Sequence, residues 1–182
     1  MPTWNSSGLD AFNALADQSA LKALLECCHS SVWASAVAAA RPYPNIDALF
    51  DTADSVLRGL PESEIDEALA GHPRIGERTD SASSTPASSA TASSTTEQTL
   101  VSTASEQVLA QLRIKNAEYE DKFSHVYLVR ASGRSGSELL NILLERLEND
   151  PVTERSVLRT ELAAINRIRL TRLIDALPGE TP

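Results

Sequence analysis

The chain has 182 residues, 42% of them hydrophobic and only 4% aromatic, and carries a formal net charge of −9. That length can bury a real core, most simply as one domain, and abundant Ala and Leu favour helix over sheet. The acidic balance argues against nucleic acid or an anionic membrane surface as the main partner, and no apolar run approaches the roughly 20 residues that span a bilayer.

The segment Met1-Pro2-Thr3-Trp4-Asn5 lacks the basic and apolar regions of a secretion signal. Cys27 and Cys28 are adjacent, which suits neither a mutual bridge nor a disulfide framework, and with three histidines they make no zinc-ligand pattern. The expectation is a cytoplasmic, reduced, metal-free protein.

Helix signals then recur with caps. Asp17 can cap a segment carrying Leu21, Leu24 and Leu25, and Ser30 or Ser31 the next, with Val32, Trp33, Ala36 and Val37. Arg41-Pro42-Tyr43-Pro44 breaks it. Asn45 opens a third, whose Ile46, Leu49, Phe50, Ala53, Val56 and Leu57 follow the spacing of one apolar face. Pro61 suits the first turn of a short helix that stops at Gly71.

Gly71-His72-Pro73-Arg74-Ile75-Gly76-Glu77 follows. It sets an imidazole beside a proline of fixed φ, between glycines that permit unusual backbone angles. Imidazole titrates near neutrality, with an unperturbed pKa of about 6.5. One reading makes His72 a proton donor; the other makes it part of a helix C-cap. From Thr79 to Thr99, thirteen of 21 residues are Ser or Thr, and the stretch at about 79–96 reads as a loop that cannot offset its ordering entropy. A glycosylated stalk is the other reading of that tract.

Helical pattern returns around Thr96 and runs to Phe123. His125-Val126-Tyr127-Leu128-Val129-Arg130 has strand character but is short, so an isolated extended segment is expected. Ser135-Gly136-Ser137-Glu138 is a capping-box pattern, and Asp150-Pro151 supplies an N-cap and first-turn proline for a long last helix. Its Arg155, Arg159, Arg167, Arg169 and Arg172 read as a solvated face.

Three pieces suit one site: the His72 loop, the helix restart at Ser94, Thr95, Thr96, Glu97 and Gln98 with its anion-favouring amides, and the main chain ending in Arg130. A proton donor, a carboxylate and such amides suit a polar heterocycle bearing a carboxylate.

These stretches, with Asn116-Ala117-Glu118-Tyr119 and the residues on to Ser135, resemble the 2-oxo-4-hydroxy-4-carboxy-5-ureidoimidazoline (OHCU) decarboxylase family. The likeness runs from near Phe12 to the final helix, apart from the Ser/Thr tract. It implies an all-α, single-domain multi-helix bundle over 1–182, and cofactor-independent decarboxylation of OHCU to (S)-allantoin in urate degradation. It further implies His72 as the general acid and Glu97 as its catalytic partner. Substrate-binding positions would be Pro73, Ser94, Thr95, Thr96, Glu97 and Gln98, with the main chain of His125, Val126, Tyr127, Leu128, Val129 and Arg130. The resemblance also implies a homodimer, and the ending Gly179-Glu180-Thr181-Pro182 fits a bacterial-type cytoplasmic member.

A second pair, Glu106-Gln107, competes with Glu97-Gln98 for the site; Ser94 and the distance to Asn116 favour Glu97. The rival reading from another class is a non-enzymatic helical scaffold, with the Ser/Thr tract as a linker and the last helix docking a partner.

Overall fold

The structure, a computed structural model, describes residues 6–72, 74–75 and 105–178. Eight helices are described: α1 (Ser6–Ala14), α2 (Asp17–Cys27), α3 (Ser31–Ala39), α4 (Ile46–Gly59), α5 (Glu62–Ala70), α6 (Glu106–Phe123), α7 (Gly136–Leu147) and α8 (Pro151–Ala176). No strand occurs among the described residues, so the fold is all-α. None of the described helices is long and apolar enough to cross a membrane. The Ser/Thr tract and the helix restart near Thr96 lie outside the described residues.

The chain divides into two compact units, residues 1–68 with 163–182, and residues 69–162. In the first, the expected caps form: the Ser30 hydroxyl accepts from Trp33 N at 3.1 Å and the Asn45 side chain from Ala48 N at 2.8 Å. Each satisfies an orphan amide of a first helical turn. The apolar face of α4 buries Ile46, Leu49, Phe50, Ala53 and Leu57, as its spacing predicts. Asp17 differs from expectation. Ala16 occupies the cap without a side-chain bond, and Asp17 stands inside the first turn with its carboxylate 2.9 Å from Arg41 Nη2.

Helix α1 was not evident from periodicity, for it is short and offers Leu9 and Phe12 as its buried anchors. Gly8 explains its closeness to the end of α8: a Cβ there would run into the Ile174 carbonyl. The arginine series of α8 is not uniformly solvated, which corrects the sequence reading. Arg169 is only 3% exposed and donates from Nη1 to the Cys27 carbonyl at 3.2 Å. Arg167 grips Asp54 through Nε and Nη2, at 2.9 and 2.6 Å. The cause is helical period: Arg169 shares a face with Leu162, Ile165 and Asn166, all buried.

In the second unit, α6 buries Leu109, Leu112, Asn116, Tyr119 and Phe123 along one stripe. All but Asn116 pack with Ile75, Tyr127, Val129, Ala131, Leu139 and Leu143 into one core. Ser135 and Glu138 form the expected capping box, and Asp150 Oδ1 accepts from Val152 N and Thr153 N at 2.9 and 3.1 Å. Between α6 and α7 the chain is neither helical nor bridged to a strand, in keeping with the isolated segment expected there. Ser124 enters this segment at φ 60° and Gly133 leaves it at φ 80°, both left-handed.

Candidate active site

Helix α5 ends at Ala70, where Gly71 and Pro73 cannot sustain it. His72 N donates to the Leu69 carbonyl at 2.9 Å, and the residue is 8% exposed. The backbone of His72 thus closes the helix while its side chain is buried. Pro73 lies outside the described residues, as do Ser94, Thr95, Thr96, Glu97 and Gln98.

The loop beyond His72 is anchored on α6. Asn116 Nδ2 donates to the Ile75 carbonyl at 2.8 Å. Arg74 pairs in bidentate fashion with Glu120, Nε to Oε1 at 2.6 Å and Nη2 to Oε2 at 2.7 Å. Asn116 and Glu120 are one helical turn apart, so a single face of α6 holds two loop residues. Ile75 then enters the core beside Tyr127 and Val129. The His72 loop and the segment 125–130 thus converge on the same apolar cluster.

That segment is held by side chains instead of a β-ladder. The Leu128 carbonyl accepts from Arg146 Nη1 at 2.6 Å, and Arg130 N donates to Glu161 Oε2 at 2.7 Å. Tyr127 donates its phenol to the Leu139 carbonyl at 3.0 Å. Arg146, on α7, is almost fully buried and meets Glu154 of α8, which has no exposed surface. Its Nε lies 2.7 Å from Glu154 Oε1, and Nη2 bonds the same oxygen. Glu154 also accepts from the Tyr119 hydroxyl and, through Oε2, from Asn149 Nδ2 at 2.8 Å. The guanidinium lies over the rings of Tyr119 and Tyr127, at 5.7 and 5.0 Å.

The electrostatics follow from this geometry. Burial works against charge on Arg146, but the Glu154 bond outweighs it and its pKa lies above the ordinary value. Burial drives the phenols of Tyr119 and Tyr127 well up, so both are neutral donors despite the nearby guanidinium. His125 sits edge-on to Tyr119 and stacked near Phe123, with Nδ1 3.2 Å from the Val126 carbonyl. Burial lowers its pKa, with Arg155 pushing the same way against the Val126 hydrogen bond. A neutral His125 whose Nδ1–H faces a carbonyl is suited to shaping the main chain, not to donating a proton.

Other candidates lack matching chemistry. A groove of about 550 Å³ in the first unit is lined by Asn13, Leu15, Gln18, Leu21 and Ala38, with Arg41 beside them. Arg41 is engaged there with the carbonyls of Phe12, Leu15 and Ala38, and no sequence-predicted site residue lines the groove. Burial pushes the Cys27 thiol up to about 12 and raises Cys28 too, so neither is a ready thiolate.

The sequence matches the family model for OHCU decarboxylase over residues 13–171. This chain belongs to the OHCU decarboxylase family. A crystal structure of OHCU decarboxylase in the presence of (S)-allantoin is similar at TM-score 0.71 and 27% identity, covering 88% of this chain and 99% of that one. The fold also matches a crystal structure of (S)-allantoin synthase at TM-score 0.68 and 16% identity, covering 92% of this chain and 54% of that one. Uric acid degradation bifunctional protein TTL from Arabidopsis thaliana is 29% identical over 154 residues, which is 82% of this chain and 45% of that protein. The chain therefore spans less than half the length of that curated relative.

Within this OHCU decarboxylase family member, sequence reasoning quoted Asn116 and Glu120 only as part of the resemblance, with no role, and passed over Arg146 and Glu154. A signal existed for Arg146 and Glu154. Arg146 falls on the apolar stripe of Leu139 and Leu143, and Glu154 on that of Leu158 and Leu162. A charge at an apolar register position marks a buried pair. Glu106, the rival to Glu97, is exposed in the first turn of α6 behind its Ser105 cap.

Proposed function

We propose that this chain decarboxylates OHCU to (S)-allantoin without a cofactor, with His72 as the general acid. The observation that carries this is the likeness to an OHCU decarboxylase solved with (S)-allantoin, along nearly the whole of that chain. The buried, loop-anchored His72 supports the acid role: a proton donor held at one position reaches one face of its substrate.

The chemistry needs little more. The C4 carboxylate of OHCU leaves as CO2, its bonding pair forms a C4=C5 double bond, and the C5=N π pair moves onto the ring nitrogen, which takes a proton. The C4 hydroxyl gives up its proton and becomes a ring carbonyl, while C5 gains a proton and becomes the stereocentre of allantoin. No electrons enter or leave. The residues His125 to Arg130 offer main-chain groups to the ring and ureido edges. Glu97 hydrogen-bonds substrate N–H groups, with Pro73 fixing the His72 loop and Ser94, Thr95, Thr96 and Gln98 gripping polar edges. The family match, which runs through both compact units, supports a single decarboxylase domain; the proposal extends to a homodimer working in the cytoplasm. Light scattering and cell fractionation check the last two.

The test is CO2 release from OHCU generated in place by urate oxidase and hydroxyisourate hydrolase. Acceleration beyond background is expected; unchanged decay with folded protein contradicts the reading and favours the scaffold. Glu97→Gln and Glu106→Gln compared side by side assign the glutamate, the larger loss of turnover falling at Glu97.

A further inference from the structure

A buried ion pair contributes little net stability compared with apolar residues of similar volume. Arg146 and Glu154 nevertheless sit at apolar register positions in a well-packed unit. What an apolar pair could not supply is the bond from Arg146 Nη1 to the Leu128 carbonyl. Leu128 lies mid-way along a segment that no β-ladder supports, and buried main-chain groups need partners from somewhere. The guanidinium is planar, so fixing one edge fixes the other. Glu154 takes Nε and Nη2, and is itself set by Tyr119 and Asn149. Nη1 is then aimed at Leu128 by groups on α6, on α8 and in the turn before α8.

We propose that Arg146 is a positioning residue for substrate binding: through the Leu128 carbonyl it fixes the main chain of 126–130 in the conformation that receives the substrate's polar edge. Glu154, Tyr119 and Asn149 set the angle of the guanidinium. The clamp stands on its own geometry, while the identity of its substrate rests on the decarboxylase reading.

Removing Arg146 alone strands the Glu154 charge and endangers folding, so the decisive variant is the double replacement Arg146→Met with Glu154→Leu, which keeps the interior apolar. Arg146→Lys, which keeps a donor, is its companion. The measurements are KM and kcat for OHCU, hydrogen exchange of amides 126–130, and melting temperature. In the double variant KM rises about tenfold, the loss of one charge-assisted hydrogen bond, while kcat falls less than about threefold. Exchange at 126–130 quickens about tenfold while that of α4 is unchanged. Arg146→Lys recovers part of the KM loss. Wild-type KM and exchange in the double variant overturn the proposal and leave Arg146 a structural charge. If the unmodified protein leaves OHCU untouched, the decarboxylase reading fails separately, and exchange decides: faster exchange at 126–130 supports the clamp, and unchanged exchange overturns it.

Discussion

At the scale of single residues, the proposed chemistry rests on His72 and on the groups that hold its loop. His72→Asn should cost roughly 10²–10⁴-fold in turnover, the usual worth of a positioned proton donor, and any residual product should lose its chirality. Normal turnover of one enantiomer by that variant would remove His72 from the acid role. Asn116→Ala strips the Ile75 carbonyl of its donor and should cost about 1–3 kcal/mol of stability, read from denaturant unfolding. It should also slow turnover, since the loop bearing His72 loses a tie to α6. Arg146→Ala alone should cost about 3–5 kcal/mol because Glu154 would remain buried and uncompensated. A melting scan that barely moves would contradict this.

Histidine burial also predicts a pH dependence of stability. Burial lowers the pKa of both His29 and His125 in the folded protein, with Arg169 adding to the effect at His29 and Arg155 at His125. The unfolded chain therefore binds these protons more readily, so stability falls as pH drops below about 6.5 and stops falling below the folded values. The expected result is a lower melting temperature at pH 5.5 than at 7.5, with a shallower slope in His29→Gln and His125→Gln. Glu138 and Asp150 act in another window. Hydrogen bonds to Ser135 and Thr153 hold these carboxylates below their ordinary values, so their contribution is present above about pH 4.5 and lost on further acidification.

At the scale of elements, α6 organises the candidate site. Asn116 and Glu120 hold the loop after His72, Tyr119 joins the Arg146–Glu154 pair, and Phe123 closes the core beneath the segment that follows. Leu112→Ala, at a fully buried position of the same helix, should cost about 2–5 kcal/mol by cavity formation. Most elements were legible because their apolar spacing and caps are local signals: Ser30, Asn45, Ser135 and Asp150 all begin helices as read. The misreadings share a cause. Asp17 is an acceptable cap by type, yet its carboxylate pairs with an arginine 24 residues away. Arg169 looks solvated to any reading that equates charge with surface, because its Cys27 partner is 142 residues away; Arg146 and Glu154 escape the same reading although they are only eight residues apart. The candidate site was legible in part: His72 and the main chain near Leu128 stand out by motif, but the side chains that hold them do not.

At the scale of the whole molecule, the family match over residues 13–171 places the chain among the OHCU decarboxylases, and buried or paired cations stand out against its net charge of −9. Arg146 and Arg74 are two such cations, each matched to a carboxylate and therefore set to position chain instead of gripping an anion. The central claim is stereospecific decarboxylation, and circular dichroism of freshly generated OHCU, with and without the protein, tests it most directly. The account predicts rapid growth of the (S)-allantoin signal, well ahead of the slow racemic background, and its loss with His72→Asn. Decay at the background rate into racemic product, in the presence of folded wild-type protein, would contradict it.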